Sequence, residues 1–202
     1  APPSLDLTVR DAPATWAERL QGRVLPTGSV RLADATGIKD LPGYDDGAWW
    51  VQDAAAALPV KMLGNVAGKT VVDLCAAPGG KTAQLVAGGA RVIAVDRSAI
   101  RLARLKDNIS RLRMNAECIV ADAVQWTPPA LAEIVLLDAP CSATGTIRRH
   151  PDIPHNKTAL DIARLAETQS RLLAAAANMT APGGVLLYCV CSLEAEEGPQ
   201  QV

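Results

Sequence analysis

From about residue 54 onward, short apolar runs of strand length alternate with stretches whose apolar residues recur at helical spacing. The apolar runs predict five strands, at Thr70 to Leu74, Arg91 to Val95, Ala116 to Val120, Ile134 to Leu137 and Val185 to Val190. Strands that alternate with helices are joined by right-handed crossovers. The pattern therefore predicts an α/β fold with a parallel, Rossmann-like sheet and helices on both faces.

The segments between the strands predict helices. They cover Ala54 to Leu63, Thr82 to Ala87, Ser98 through Leu112 and Thr158 to Met179. Asp53 and Ser98 stand where a side chain can cap the first and third of these helices. Pro182-Gly183-Gly184 is expected to end the last helix before the fifth strand.

Residues 1–53 are rich in Pro, Gly and Asp and show weaker periodicity. Leu5 to Val9 alternates like a short strand, and Ala14 to Leu20 can form one or two helical turns. Trp49 and Trp50, two of the four tryptophans, stand at the end of this region. We expect residues 1–53 to form a small N-terminal subdomain packed on the main sheet, which residues 54–202 would supply. Packing is the favoured role of the two tryptophans over stacking on a base.

The composition of the chain limits the classes of function that we expect. The chain has 202 residues, no apolar run near the ~20 residues of a membrane span, and no signal-peptide pattern at its start. Five cysteines without a CxxC pair, together with two histidines, argue against a zinc site or a disulfide framework and favour free thiols in a reducing cytoplasm. The net charge of −1 means that nucleic-acid binding would need a local patch or another domain.

Chemistry-bearing residues follow three of the predicted strands. Cys141 comes after Asp138-Ala139-Pro140, Cys191 follows the fifth strand, and a Gly-rich turn follows the first. The carboxyl ends of strands line the ligand crevice of an open α/β sheet. Two thiols and a carboxylate beside such a turn indicate covalent chemistry next to a nucleotide-like cofactor.

Three interpretations compete for the Gly-rich turn at residues 73–82. A P-loop needs Gly where this chain has Cys75, and the dinucleotide pattern G-x-G-x-x-G is absent. An S-adenosylmethionine turn needs only exposed amides and acidic residues on later strand ends. Asp96 follows the second strand, where a carboxylate can bond ribose, and Asp122 follows the third, where it can meet adenine. Either acid alone could equally be a turn former.

The turn resembles, nearly letter for letter, the cofactor motif of the RNA cytosine-5 methyltransferases, in particular bacterial 16S ribosomal RNA enzymes of the Sun/Fmu type. The resemblance implies S-adenosyl-L-methionine as cofactor, with Asp96 and Arg101 at the ribose, Asp122 at adenine and Asp138 between cofactor and base. The methionine part would be held by the turn itself, which consists of Cys75, Ala76, Ala77, Pro78, Gly79, Gly80 and Lys81.

The same resemblance explains the two cysteines. A thiolate that adds to carbon 6 of cytosine makes carbon 5 nucleophilic, and a carboxylic acid near N3, here Asp138, supports the ring charge. Spacing does not decide which cysteine attacks. The RNA family implies Cys191 as nucleophile and Cys141 as the thiol that assists release, whereas the DNA enzymes use the Pro-Cys thiol, here Cys141. Cys189-Val190 replaces the Ser-Thr that usually precedes the family's nucleophile.

Further expectations concern the substrate and the remaining chain. The segment 141–152 resembles the family's substrate loop, so Arg148 and Arg149 are expected on the RNA backbone. His150 and His155 could bond phosphate or cap the loop. The resemblance also implies a preceding NusB-like RNA-binding domain and two further C-terminal strands. A transfer RNA or other RNA substrate, and an inactive module that binds cofactor and RNA, are the alternatives.

Three side-chain sets are expected to be structural. Cys118 lies inside a predicted strand and is expected to be buried filler. Cys75 is expected to act through its backbone only. The basic residues of the 98–112 helix and its end are expected to form a solvated face; they are Arg101, Arg104, Lys106, Arg111 and Arg113.

Overall fold

The computed structural model describes residues 3–33 and 37–202, which form two sheets. The N-terminal sheet is antiparallel, with strand order β2-β3-β1-β4. Its strands are β1 (Leu5–Val9), β2 (Arg23–Val24), β3 (Val30–Leu32) and β4 (Trp49–Val51), and helix α1 (Pro13–Arg19) packs on it. Residues 1, 2 and 34–36 of the expected subdomain lie outside the described residues.

The main sheet is parallel throughout, with strand order β7-β6-β5-β8-β9. The order reverses between β5 and β8, so the crevice of this sheet lies at their carboxyl ends. The five strands are β5 (Thr70–Leu74), β6 (Arg91–Asp96), β7 (Glu117–Val120), β8 (Ala132–Asp138) and β9 (Thr180–Cys189). The Rossmann-like sheet expected from the sequence is confirmed.

Helices cover both faces of the main sheet. They are α2 (Leu58–Met62), α3 (Gly80–Ala87), α4 (Ala99–Arg111), α5 (Ile153–Asn156) and α6 (Ala159–Met179). Successive strand residues point to opposite faces. Val72 and Leu74 accordingly pack toward α6, and Val71 packs toward α3. Ser98 caps α4 by accepting a hydrogen bond from the Arg101 amide, as the sequence predicts.

Two predicted boundaries are wrong. The helix expected from Ala54 begins only at Leu58, because proline is tolerated only in the first turn of a helix and Pro59 fixes where that turn lies. Asp53 instead accepts a hydrogen bond from the Ala55 amide. Strand β9 begins at Thr180, so Pro182-Gly183-Gly184 lies within it. Gly184 is required there, since a Cβ would stand 2.8 Å from the Glu133 carbonyl oxygen.

Arg111 and Trp50 join the two sheets. The Arg111 guanidinium donates hydrogen bonds to the carbonyl oxygens of Tyr44 and Trp49, at 2.6 and 3.1 Å, and lies over the Tyr44 ring. Trp50 is buried under α4, and Trp49 is buried in the N-terminal sheet. Packing is therefore the role of both tryptophans. Arg111, however, does not belong to the expected solvated face.

Within residues 3–33 and 37–202, no helix is long and apolar enough to cross a membrane. The same residues contain no group of three or more metal-ligating side chains.

Candidate active site

The turn after β5 is built on unusual backbone geometry. Cys75 has φ +58° and Gly79 has φ +100°, both in the left-handed region. A Cβ at position 79 would stand 2.7 Å from Leu105 Cγ, so only glycine fits between this turn and α4. Helix α3 then begins at Gly80, so its first amides have no acceptor within the helix.

A cavity of about 220 Å³ lies beside this turn, between the ends of β5, β6 and β7. Cys75, Asp96, Arg101 and Asp122 line it, as do Pro140 and side chains of α6. Carboxylates at two strand ends and a tight turn that leads into the N-terminus of α3 fit the expected cofactor. The sequence places Asp96, Arg101 and Asp122 in one site, and the structure brings them together.

Asp96 also holds the turn itself. Its carboxylate accepts hydrogen bonds from the amides of Ala77 and Ser98, at 3.1 and 2.9 Å. Arg101 donates a hydrogen bond to the Ala77 carbonyl oxygen and lies 3.9 Å from Asp96. The Asp96 and Arg101 side chains, which were expected to bind the ribose, therefore also stabilise the backbone of the turn.

Lys81 and Asp138 line a second cavity. Lys81 Nζ lies 2.7 Å from Asp138 Oδ2, and the Lys81 side chain is 12% exposed whereas that of Asp138 is 37% exposed. Burial alone would lower the pKa of Lys81, but the Asp138 carboxylate raises it. A charged ammonium thus stands at the carboxylate that faces the second cavity.

Cys191 lines the second cavity, and Cys141 lies against Cys191 without lining the cavity itself. Their Sγ atoms are 3.4 Å apart, although 50 residues separate them in the chain. The hydrogen bond donated by the Cys141 thiol lowers the pKa of Cys191, and Lys81 acts in the same direction. Donating that bond, together with burial, raises the pKa of Cys141. Cys191 is therefore the thiol of this pair that ionises more readily.

The other three cysteines are poorer nucleophiles. Burial raises the pKa of Cys75 to about 12. Burial and the nearby Asp138 carboxylate raise the pKa of Cys189, whose Sγ lies 3.5 Å from Asp138 Oδ1. Burial also raises the pKa of Cys118, which is only partly buried on β7.

The second cavity has a volume of about 430 Å³ and is large enough for a nucleobase. Arg148 and Arg149 lie on its rim, in the loop that follows Cys141. Arg148 is exposed, whereas Arg149 is paired with Asp53 at 2.6 Å. Asp53 belongs to the segment after β4, so the N-terminal region contributes to this cavity.

The site contains residues that the sequence patterns did not indicate. The carboxylate of Glu197 accepts hydrogen bonds from Ser142 and Gln169 directly behind the two thiols. Asp6 on β1 binds Arg31 through two hydrogen bonds of 2.6 and 2.7 Å. Neither acid lies in a recognisable motif. Asp6 occupies a polar position in the alternating pattern of β1, so nothing in the sequence indicates that it is buried.

A protein family and a curated relative match this chain. Residues 60–202 match the family model described as "16S rRNA methyltransferase RsmB/F". The chain is 45% identical over 179 residues to ribosomal RNA small subunit methyltransferase B of Sodalis glossinidius, covering 86% of this chain and 41% of that protein. The chain thus spans less than half the length of this relative.

Two solved structures are similar. A methyltransferase homologue protein from Pyrococcus horikoshii superposes with a TM-score of 0.83 at 28% identity, covering 100% of this chain and 68% of the other. NSun6 from Pyrococcus horikoshii, solved with SFG, gives a TM-score of 0.73 at 31% identity, covering 82% of this chain and 44% of the other.

Proposed function

This chain belongs to the 16S rRNA methyltransferase RsmB/F family, and from this we propose that it methylates carbon 5 of a cytosine in 16S ribosomal RNA through a covalent cysteine–cytosine intermediate. Membership confirms the resemblance stated from the sequence and the methyltransferase fold. S-adenosylmethionine is the cofactor of that family, and it supplies the methyl group when bound.

The observation that carries the proposal is the contact of Cys141 with Cys191, the thiol of the pair that lines a base-sized cavity. Cytosine-5 chemistry needs a thiolate at carbon 6, an acid near N3 and a group that assists release. Two adjacent thiols with opposite pKa shifts, next to Asp138, supply those three groups. No simpler methyl transfer to an oxygen or nitrogen atom requires such a pair.

We assign the attack to Cys191. Its pKa is lowered, chiefly by the hydrogen bond from Cys141, and the residue is exposed to the cavity. The Cys191 sulfur forms a bond to carbon 6, and the electrons of the ring double bond move to carbon 5. The negative charge that the addition leaves on the ring is neutralised by a proton delivered to N3 through Asp138 from the Lys81 ammonium 2.7 Å away, while carbon 5 takes the methyl group.

For release, a base such as water takes the carbon 5 proton, and the electron pair of that C–H bond re-forms the ring double bond. Cys191 leaves carbon 6 as a thiolate that the Cys141 thiol can stabilise by donating its hydrogen bond. Cys141, at 3.4 Å from Cys191, is placed to assist this step. The target base has to leave its stack to enter the cavity. Because the net charge of the chain is −1, part of the RNA affinity is assigned to the NusB-like domain implied by the resemblance.

The two thiols are tested by single substitutions in the full-length protein. Cys191→Ala should abolish methylation and form no covalent RNA complex. Cys141→Ala should still form the bond but break it slowly, so that protein–RNA adducts accumulate on a denaturing gel. Cys118→Ala, which removes a thiol outside the cavity, is the matched control.

The outcomes separate the alternatives. Adducts that persist in Cys191→Ala and vanish in Cys141→Ala would reverse the two roles. Full methylation by both variants would exclude the covalent mechanism. Adducts on transfer RNA but not on 16S RNA would identify transfer RNA as the substrate. Wild-type protein that binds cofactor and RNA without any turnover would indicate an inactive binding module.

A further inference from the structure

Glu197 lies directly behind the two thiols, and the proposed mechanism does not use it. It follows β9 in a turn, and its residue is 0% exposed. A buried carboxylate is costly unless several donors satisfy it. Its partners therefore indicate what this residue does.

The carboxylate of Glu197 gathers donors from two other parts of the fold. Oε1 accepts hydrogen bonds from the Ser142 amide at 2.9 Å and from Gln169 Nε2 on α6 at 3.0 Å. Oε2 accepts a hydrogen bond from the Ser142 hydroxyl. Burial acts to raise the pKa of Glu197, but the bonds from Ser142, Ser192 and Gln169 together lower it. The group is thus an ionised carboxylate with its donors in place.

These partners flank the thiols. Ser142 follows Cys141 in the chain and Ser192 follows Cys191, and the two serine Oγ atoms are 3.1 Å apart. Gln169 also donates to the Pro140 carbonyl oxygen at 2.8 Å, on the other side of Cys141. One carboxylate therefore fixes the chain on both sides of Cys141 and, through the serine pair, the residue next to Cys191.

We propose that Glu197 is a positioning residue, whose carboxylate sets the separation and orientation of the Cys141 and Cys191 thiols by tying the loop after β8 to the loop after β9. The predicted effect of Glu197 on the reaction rate rests on the proposed function, whereas its predicted effect on the positions of the Cys141 and Cys191 thiols does not.

The loops that carry the thiols belong to different strands. They are also joined by hydrogen bonds from the Gly145 amide to the Cys191 carbonyl oxygen, at 3.0 Å, and from the Leu193 amide to Thr144 Oγ1, at 2.9 Å. The Glu197 carboxylate is therefore one of several ties between them. Misplacing reacting groups by about 1 Å can cost on the order of 100-fold in rate.

The test compares Glu197→Ala with Glu196→Ala in the full-length protein. Glu196 is the exposed neighbour and the matched control. The first readout is the pH dependence of iodoacetamide labelling at Cys191, resolved from Cys141 by peptide mass spectrometry. The second is kcat and KM for RNA. Lys81 and Asp138, the other charged groups that act on Cys191, are unchanged in both variants.

In Glu197→Ala the labelling midpoint of Cys191 should rise toward the ordinary thiol value of about 8.5, because Cys141 no longer donates to it. The value of kcat should fall by roughly 10- to 100-fold while KM for RNA changes little. Glu196→Ala should match the wild type in both readouts. Glu197→Gln should restore most of the loss, since its amide can accept from the Ser142 amide and donate to the Ser142 hydroxyl.

Should Glu197→Ala fail to fold, Ser142→Ala removes the hydroxyl contact alone and should shift the labelling midpoint in the same direction by less. An unchanged Cys191 midpoint in folded Glu197→Ala or in Ser142→Ala overturns the proposal. An equal loss in the Gln and Ala variants also overturns it, because charge and not the tie would then be responsible. A wild type that does not methylate RNA would refute the proposed function, while the labelling would still decide the role of Glu197.

Discussion

Asp73 is an acid held in a position where its charged form is poorly supported. Its Oδ2 accepts a hydrogen bond from the Thr82 hydroxyl at 2.6 Å, while its Oδ1 has no partner among the residues that the structure describes. Burial raises the pKa of Asp73 to about 7, against the opposing effect of Thr82. The unfolded value is about 3.9, so protonation favours the folded state. The stability that Asp73 contributes is therefore full below about pH 4 and is lost as pH rises toward 7.

Asp73→Asn should remove this dependence, since the amide oxygen still accepts from Thr82 and carries no charge at any pH. The free energy of unfolding of the variant relative to wild type should increase by about 2–4 kcal/mol between pH 4 and pH 8. Urea unfolding across that range measures it. Asp122→Asn, at an exposed acid, is the control, and parallel curves for Asp73→Asn and wild type would contradict the expectation.

The residue types in the sequence predicted which side chains come together in the site, but they did not predict the pKa values of those side chains. Cys141, Cys191 and Asp138 could be placed together because each ends a parallel strand. The pKa difference between the thiols could not be predicted, because it arises from a 3.4 Å contact across two loops. The sequence positions of Lys81 and Asp138 likewise did not predict that the two side chains form an ion pair.

At the scale of elements, the loop between β8 and α5 carries two adjacent arginines in different situations. Arg148 is exposed on the cavity rim, whereas Arg149 binds Asp53 with two donors, at 2.6 and 2.9 Å. Arg149 also lies 3.9 Å from the buried carboxylate of Asp6. The sequence treats both as RNA contacts, and for both this remains a prediction.

Arg148→Ala should weaken RNA binding and reduce the salt slope of log K by about 0.7 to 0.9, the value for one phosphate. Arg149→Ala should in addition lower the melting temperature, because Asp53 loses its partner. Binding measured at several salt concentrations, with thermal unfolding of the same samples, separates the two. Arg104→Ala on the exposed side of α4 is the control. A slope unchanged in Arg148→Ala would exclude Arg148 as an RNA contact, and a slope unchanged when both arginines are replaced would exclude the loop.

Strand positions in the main sheet followed from apolar runs, because parallel strands buried on both faces read as continuous apolar segments. The exceptions have local causes. Pro59 sets where α2 can begin, and Gly184 inside β9 serves a close approach to β8 and does not mark a stop. The second cause could not be predicted, because Glu133 of β8 is remote from Gly184 in sequence.

At the scale of the whole molecule, Arg111 is a principal connection between the two sheets. Arg111→Met keeps the apolar stem and removes the hydrogen bonds to Tyr44 and Trp49. It should lower the free energy of unfolding by about 2–4 kcal/mol, since each such charged bond contributes about 1.5–3 kcal/mol. Arg104→Met should have little effect. Denaturant unfolding measures the loss, and an equal effect of the two substitutions would contradict this role.

The relation between the sheets was only partly predictable. Burial of two tryptophans is expected from their size, and they do pack as expected. The partners of Arg111 are backbone carbonyl oxygens, which carry no signature in side-chain sequence. For the same reason, the run of basic residues along α4 did not reveal that one of them, Arg111, is half-buried.

The ion pair between Lys81 and Asp138 also has an evolutionary consequence. Lys81 belongs to the cofactor turn and Asp138 faces the base-sized cavity, yet each neutralises the other at 2.7 Å. Loss of Asp138 alone would leave the Lys81 ammonium, which is 12% exposed, without its partner, at a cost of about 3–5 kcal/mol. Loss of Lys81 costs less, because the Asp138 side chain is 37% exposed and water can solvate it. A lineage can therefore abandon Asp138 first only at a large cost. Among relatives of this chain, we expect Lys81 to be retained only where Asp138 is retained, so that cofactor specificity and base specificity are inherited as one trait.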